Sequence, residues 1–457
     1  MRYLTALALM CAALSSATAA KPNVIFIVAD DLGYADLGVH GCKDIPTPHI
    51  DALAKNGVRC SNGYVSGPYC SPTRAGLITG RYQQRFGHEF NPGPAVSATI
   101  DLGLSLNETT LPQVFKSGGY RTGMVGKWHL GHAKQFLPTS RGFEEFYGFL
   151  GGANPYLNPP NILRGAEAIK ETDYLTDAFT REAVAYIDRH KSEPFFLYLT
   201  YNAVHGPLQA PPKYLQRFEK IQPQGRRTYA AMLSALDDGI GLVMNKLKTE
   251  NLFDNTLVCF ISDNGGPENV NFSDNGPFRG QKASTWEGGI HIPYFLHWPN
   301  GLPKGAVYTQ PVIQLDLFPT ALAAAGVEAK TNKPIDGVNL LPFLNGENKA
   351  APHDALYWRF GAQMAIRMGD WKLIKARGDA QAFNRSEVAS AMGANLFNLK
   401  EDEGEKTDLA GSKPEKVKEL QEVWNKWNAT LEKPTWGQGG AKKGKAKNKE
   451  KDRKDLD

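Results

Sequence analysis

Cys70-Ser71-Pro72-Thr73-Arg74, followed by Ala75-Gly76-Leu77-Ile78-Thr79-Gly80, is the stretch of this chain with the most chemistry to offer. Pro72 suits the first turn of a helix, where a missing N–H costs nothing, and Leu77 and Ile78 supply an apolar side to bury. The spacing predicts a helix that opens at Cys70, with Arg74 one turn on and on the same face. A thiol-bearing carbon and a guanidinium would then share a pocket with free backbone N–H groups at the positive end of a helix. That combination suits a tetrahedral oxyanion.

Other reactive groups fall at the ends of apolar runs. Asn23-Val24-Ile25-Phe26-Ile27-Val28-Ala29 reads as a strand buried on both faces, and it ends in Asp30-Asp31. A second run, 255–262, ends in Asp263-Asn264-Gly265-Gly266. Open α/β sheets gather ligands at the carboxyl ends of their strands. Three carboxylates and an amide oxygen are hard ligands, suited to Ca²⁺ or Mg²⁺ and not to zinc. Asp274-Asn275-Gly276 offers similar letters, but no apolar run precedes it. In Gly126-Lys127-Trp128-His129-Leu130-Gly131 an extended backbone would point Lys127 and His129 the same way, which fits anion binding and proton transfer. A third run, 195–201, leads to Asn202-Ala203-Val204-His205-Gly206-Pro207, and 278–289 carries two rival cations, Arg279 and Lys282.

Taken together, these segments closely resemble the motifs of the type I sulfatases, a family within the alkaline phosphatase superfamily. The resemblance runs through five motifs in order, from Asn23 to about Thr430. It implies that Cys70 is oxidised by a formylglycine-generating maturation enzyme to an aldehyde, whose hydrate supplies the oxygen that attacks sulfur. It implies a Ca²⁺ ion, with Mg²⁺ possible, held by Asp30, Asp31, Asp263, Asn264 and the converted Cys70. Arg74, Lys127 and Lys282 would offset charge on the sulfate oxygens. His205, with Lys282, would protonate the departing alcohol, and His129 would take the proton from the second hydroxyl of the hydrate. Some relatives place a sulfate-contacting serine where this chain has Gly151-Gly152-Ala153-Asn154, a departure that leaves that contact without a counterpart. The expected substrate is a sulfated sugar or polysaccharide fragment. Three other readings compete: a formylglycine-dependent phosphonate or phosphodiester hydrolase, a two-zinc phosphatase, and a non-catalytic sulfated-glycan-binding protein. Position 70 and Asn264 argue against the two-zinc site. His88, Asn91, Arg164, Trp286 and Arg359 lie in segments that could border the pocket.

The elements needed to hold these groups are legible around them. Helical patterns cover 48–57, with Gly57 as its stop, and 111–119, 229–248 and 315–325; strands are expected at 120–125 and 291–298. The resemblance implies the alkaline-phosphatase-like α/β fold, a large mostly parallel sheet between helices. From about Pro352 the texture changes to short alternating strands. Ser412-Lys413-Pro414-Glu415 looks like a capping box opening a helix whose stripe of Val417, Leu420, Val423, Trp424, Trp427 and Leu431 is core. The expected division is a signal peptide over 1–20, a catalytic domain over 21–350, a small antiparallel sheet with a packing helix over 351–436, and a disordered Lys-rich tail over 437–457.

Composition closes off other classes. The net charge of +5 is concentrated in the tail, where eight Lys or Arg meet four Asp or Glu, so the body is near neutral and offers no nucleic-acid groove. The apolar start is too short to span a membrane, and the expected location is secreted or periplasmic. Of the remaining cysteines, Cys42 and Cys60 are a conceivable disulfide, while Cys259 sits in an apolar run as a small core residue.

Overall fold

The computed structural model describes residues 21–93, 102–376 and 389–436. The expected signal peptide and the Lys-rich tail lie outside the described residues. A sheet of ten strands forms the centre, in the order Ala306–Tyr308, Val58–Cys60, Tyr294–His297, Thr256–Ser262, Asn23–Ala29, Phe195–Thr200, Arg121–Lys127, Glu145–Phe149, Ile162–Arg164, Glu167–Ile169. Its middle runs parallel from Thr256–Ser262 through to Glu145–Phe149, as buried apolar strands joined by helical crossovers require. Every residue of Asn23–Ala29, Phe195–Thr200 and Thr256–Ser262 is buried, because helices cover both faces. Leu175–His190 and the long Gln224–Thr249 pack on one face; Cys70–Thr79, Leu111–Ser117 and Leu317–Ala325 lie on the other.

A second sheet of four antiparallel strands follows: Leu356–Phe360, Gln363–Met368, Trp371–Lys375 and Asn395–Asn398. Helix Pro414–Asn428 covers it, burying Leu420, Trp424 and Trp427, so the aromatic stripe is core. The capping box does not form. Lys413 is the N-cap without a side-chain bond, and Ser412 Oγ instead donates to the Leu409 carbonyl at 3.1 Å. Gly57 does follow its helix, Pro48–Asn56, but at φ −133° it is no left-handed stop; a side chain there would collide with the Leu296 carbonyl, 2.2 Å away. Gly126 is required twice over, by its φ of +121° and by a Thr200 carbonyl 1.9 Å from where a Cβ would stand. Among the described residues Cys42, Cys60, Cys70 and Cys259 are all free, so the conceivable Cys42–Cys60 bridge is absent; Cys259 is buried in the core. No helix among the described residues is long and apolar enough to cross a membrane.

The two sheets share one continuous apolar cluster and a buried polar network. Lys372 on the small sheet lies 2.8 Å from both Glu287 Oε1 and Glu405 Oε1, and is itself fully buried. Tyr64 donates to Glu287 Oε2 at 2.5 Å, and Arg367 donates in turn to the Tyr64 hydroxyl. Burial pushes the Glu405 carboxyl up to about 7 against the pull of Lys372. Removing the ammonium would strand two buried carboxylates. Lys372→Met is therefore expected to cost about 3 kcal/mol or more of stability, read as a lower urea midpoint. An unchanged midpoint would show that this pairing does not hold the small sheet in place.

Candidate active site

Four neighbouring parallel strands deliver the site. In sheet order Thr256–Ser262, Asn23–Ala29, Phe195–Thr200 and Arg121–Lys127 lie side by side, followed respectively by Asp263 with Asn264, by Asp30 with Asp31, by His205, and by His129; Lys127 closes the last strand. Backbone pairing continues past the strand ends, with the Asp263 N–H donating to the Ala29 carbonyl at 3.0 Å and the Asp30 N–H to the Ala203 carbonyl at 2.9 Å. Strands in a sheet lie about 4.8 Å apart, so side chains at adjacent ends come within reach of one another.

The predicted helix forms as Cys70–Thr79, with all ten residues buried, and stops at Gly80, whose φ is +67°. Its first turn points at the strand ends. Cys70 Sγ lies 3.6 Å from Asp30 Oδ1 and is 1% exposed. Burial pushes the thiol up to about 12, outweighing the pull of Lys127 and Lys282. As a thiol this side chain stays protonated and is a poor nucleophile.

Charges around it are closely paired. Arg74 donates from Nε and Nη2 to Asp263 Oδ2 at 2.9 and 2.8 Å, and from Nη1 to the Lys127 carbonyl at 2.9 Å. Lys127 Nζ donates to Asp30 Oδ2 at 2.5 Å, and Lys282 Nζ lies 2.6 Å from Asp31 Oδ1. Burial alone would raise the Asp30 and Asp31 carboxyls, but Lys127 at one and Lys282 at the other, helped by His205, hold both below the usual range. Asn264 Nδ2 donates to Asp31 Oδ1 at 2.7 Å, leaving Asn264 Oδ1 buried with no hydrogen-bond partner among the described residues. A buried amide oxygen without a donor, beside three carboxylates, is the arrangement a hard cation completes. The residues expected to hold Ca²⁺ or Mg²⁺ therefore fit a hard divalent cation. His205 Nε2, 3.6 Å from Asp31 Oδ2, also falls in one group with Asp30, Asp31 and Cys70, their ligand atoms within 4.8 Å of one another.

Both histidines enter the site, but not as an alternating strand would place them. The strand stops at Lys127, and His129 turns back in the left-handed region at φ 60°, as does Asp31 at φ 62°. Such a backbone costs a non-glycine residue about 1 kcal/mol and persists only when the surroundings impose it. The absence of a side chain at Gly152 makes room for the turn, since a Cβ there would stand 2.7 Å from the His129 ring. Burial, then the nearby Lys127, Arg74 and Lys282, push His129 well below its ordinary value, so its imidazole is neutral. His205 donates from Nδ1 to the Gly206 carbonyl at 2.6 Å, which leaves the Nε2 lone pair facing the carboxylates in the neutral ring.

Several expected border residues stand elsewhere. Asn91 accepts from the Ser71 N–H at 3.0 Å, capping the helix. His88 is 1% exposed and bonded to Ser71 Oγ, with burial holding it down to about 3. Arg164, on the ninth strand of the sheet, is clamped by Glu182 at 2.9 Å, and Arg359 pairs with Glu89 at 2.8 Å. Trp286 is buried under the Arg279 guanidinium, 3.9 Å from its ring, and Arg279 donates to the Glu405 carbonyl at 3.2 Å, while Lys282 lies 2.6 Å from Asp31. Asn275, from the rejected Asp-Asn pair, bonds both ways with Gly266 and braces the turn after Asn264. Sequence reasoning missed Asn271, whose amide donates to the Asp31 carbonyl at 3.1 Å; no spacing or neighbouring strand signals it.

This arrangement has known counterparts. Residues 22–327 match the family model described as Sulfatase, and residues 280–426 match the one described as N-sulphoglucosamine sulphohydrolase, C-terminal. Arylsulfatase J of Mus musculus is 34% identical over 466 residues, covering 91% of this chain and 77% of the relative. N-acetylgalactosamine-6-sulfatase of Homo sapiens is 35% identical over 383 residues, covering 77% and 71%. Among solved structures, Ps i-CgsB in complex with k-i-k-neocarrahexaose superposes with a TM-score of 0.83 at 37% identity, covering 91% of this chain and 94% of that one. The PsFucS1 sulfatase from Pseudoalteromonas sp. does so with a TM-score of 0.77 at 27% identity, covering 90% of each. With the matched fold and the paired charges at its strand ends, this chain belongs to the sulfatase family and is a sulfuric ester hydrolase.

Proposed function

We propose that this protein is an exported sulfatase that removes sulfate from a sulfated sugar or polysaccharide fragment, using a formylglycine formed from Cys70 and a Ca²⁺ ion held by Asp30, Asp31, Asp263 and Asn264. The observation that carries the reading is the position of Cys70: a buried side chain at a helix start, 3.6 Å from Asp30, ringed by Arg74, Lys127, Lys282, His129 and His205. Charge supports it. Three carboxylates face three cations at the strand ends, so a divalent ion adds two positive charges, of which a singly charged sulfate ester offsets one and the doubly charged sulfate released from it offsets both. The carbohydrate class rests on relatives: N-acetylgalactosamine-6-sulfatase, and Ps i-CgsB solved with k-i-k-neocarrahexaose. Galactose or N-acetylgalactosamine is the sugar we favour. Export rests on the apolar leader read in the first 20 residues.

When present, the cation supplies positive charge at the sulfate oxygens and the hydrated aldehyde supplies the attacking oxygen. The chain's own residues do the rest. Arg74, Lys127 and Lys282, here paired with Asp263, Asp30 and Asp31, supply the positive charge that offsets the sulfate oxygens when the ester binds. His205 Nε2, at the open side of the carboxylates, donates a proton to the departing sugar oxygen once it is charged. His129, held neutral, accepts a proton from the hydroxyl at position 70.

Two outcomes are expected. Cys70→Ala abolishes release of inorganic sulfate from a panel of sulfated mono- and oligosaccharides, by about 10³-fold or more in kcat/KM, and near-normal release would remove the assignment of residue 70. Removing divalent ions with a chelator stops turnover and lowers the melting temperature, and Ca²⁺ restores both. Full activity after exhaustive chelation would contradict the cation's place at Asp30, Asp31, Asp263 and Asn264.

A further inference from the structure

Behind the pocket lies a short hydrogen-bonded chain that joins the helix bearing residue 70 to the turn bearing His129. Ser71 Oγ donates to the His129 carbonyl at 2.6 Å, and the same oxygen lies 2.6 Å from His88 Nε2. A hydroxyl has one hydrogen, and a carbonyl only accepts. With the Ser71 hydrogen used on His129, His88 Nε2 must be the donor, so the arrangement fixes a neutral His88 with its hydrogen on Nε2. Its Nδ1 is buried and has no partner among the described residues. The loop holds Ser71 from a second side, through Asn91 Oδ1 and the Ser71 N–H. Trp436 closes the back, its ring edge-on to His88 with centroids 4.7 Å apart and its Nε1 donating to the Phe90 carbonyl at 2.9 Å.

We propose that His88 and Ser71 are positioning residues that keep the His129 turn in its left-handed conformation and so hold its imidazole in register with residue 70. The strain at φ 60° needs an external hold, and the Ser71 bond to the carbonyl of that same residue provides one. His129's own N–H is tied to the Leu150 carbonyl at 3.1 Å, so both backbone polar groups of the strained residue are fixed by separate elements. His88 touches none of the reacting groups itself; it orients the hydroxyl that does the holding. The proposal rests on the role given to His129 above, and its test separates the two.

His88 lies outside the Cys70–Gly80 motif, which makes it the safer position to change. His88→Gln keeps a donor at the reach of Nε2, whereas His88→Asn keeps a buried amide too short to reach Ser71. With aldehyde content at residue 70 equalised by mass spectrometry, the Gln variant is expected within about threefold of the parent kcat and the Asn variant at least about tenfold below it, KM changing less than about twofold. In a His129→Ala background the Asn change should cost less than about twofold more, because its effect passes through the missing ring. Equal kcat in the two variants, or losses that multiply, would overturn the relay. A readout independent of turnover is amide hydrogen exchange over residues 128–131, expected to rise about tenfold in the Asn variant and to stay near the parent value in the Gln variant. Unchanged exchange in the Asn variant overturns the relay even if no sulfate ester is cleaved, while altered exchange without any turnover faults the proposed function instead.

Discussion

Three carboxylates and three basic side chains, all buried, face each other at the ends of the central strands, and the rest of the molecule is arranged to make that tolerable. Left uncompensated, any one of these charges in the interior would cost several kcal/mol. Each therefore has a named partner: Asp263 takes Arg74, Asp30 takes Lys127, Asp31 takes Lys282. The pairing is close but incomplete, since Asn264 Oδ1 is left without a donor among the described residues and His129 sits neutral among cations. A pocket still short of a donor at one buried oxygen has the chemistry to take a hard cation.

Backbone geometry delivers those charges. Parallel strands from Thr256–Ser262 to Arg121–Lys127 end at one edge because crossover connections return each strand in the same direction. Gly126 lets the Lys127 strand approach Thr200 closely, and Gly152 leaves room for the His129 ring. The small C-terminal sheet is not a loose appendage. It meets the large body through Lys372, Glu287 and Glu405, and Glu287 opens the short helix Glu287–Ile290 that follows the Lys282 segment.

How much of this was legible in the sequence depended on whether a local pattern carried it. Buried strands announce themselves because both faces must be apolar, so the runs ending at Asp30 and Asp263 were visible, and with them the carboxylate and amide oxygens that follow. Cys70, Arg74, Lys127, His129, His205 and Lys282 were identified from segments that resemble sulfatase motifs, and the structure brings all six together. What stayed hidden was long-range. Nothing around His129 signals a left-handed turn, because Ser71, Leu150 and Gly152 impose it from elsewhere. His88 read as a candidate for the pocket border, since no local pattern signals its burial and the Trp436 ring it packs against lies far along the chain. Arg359 and Arg164 looked free to meet substrate until Glu89 and Glu182 were seen to hold them.

The most direct test is the mass of the peptide carrying residue 70, taken from enzyme matured in its native setting and assayed for sulfate release in the same preparation. The account predicts an aldehyde or its hydrate at that position, in a fraction that rises and falls with kcat. An unmodified thiol in material that turns over at full rate would contradict it.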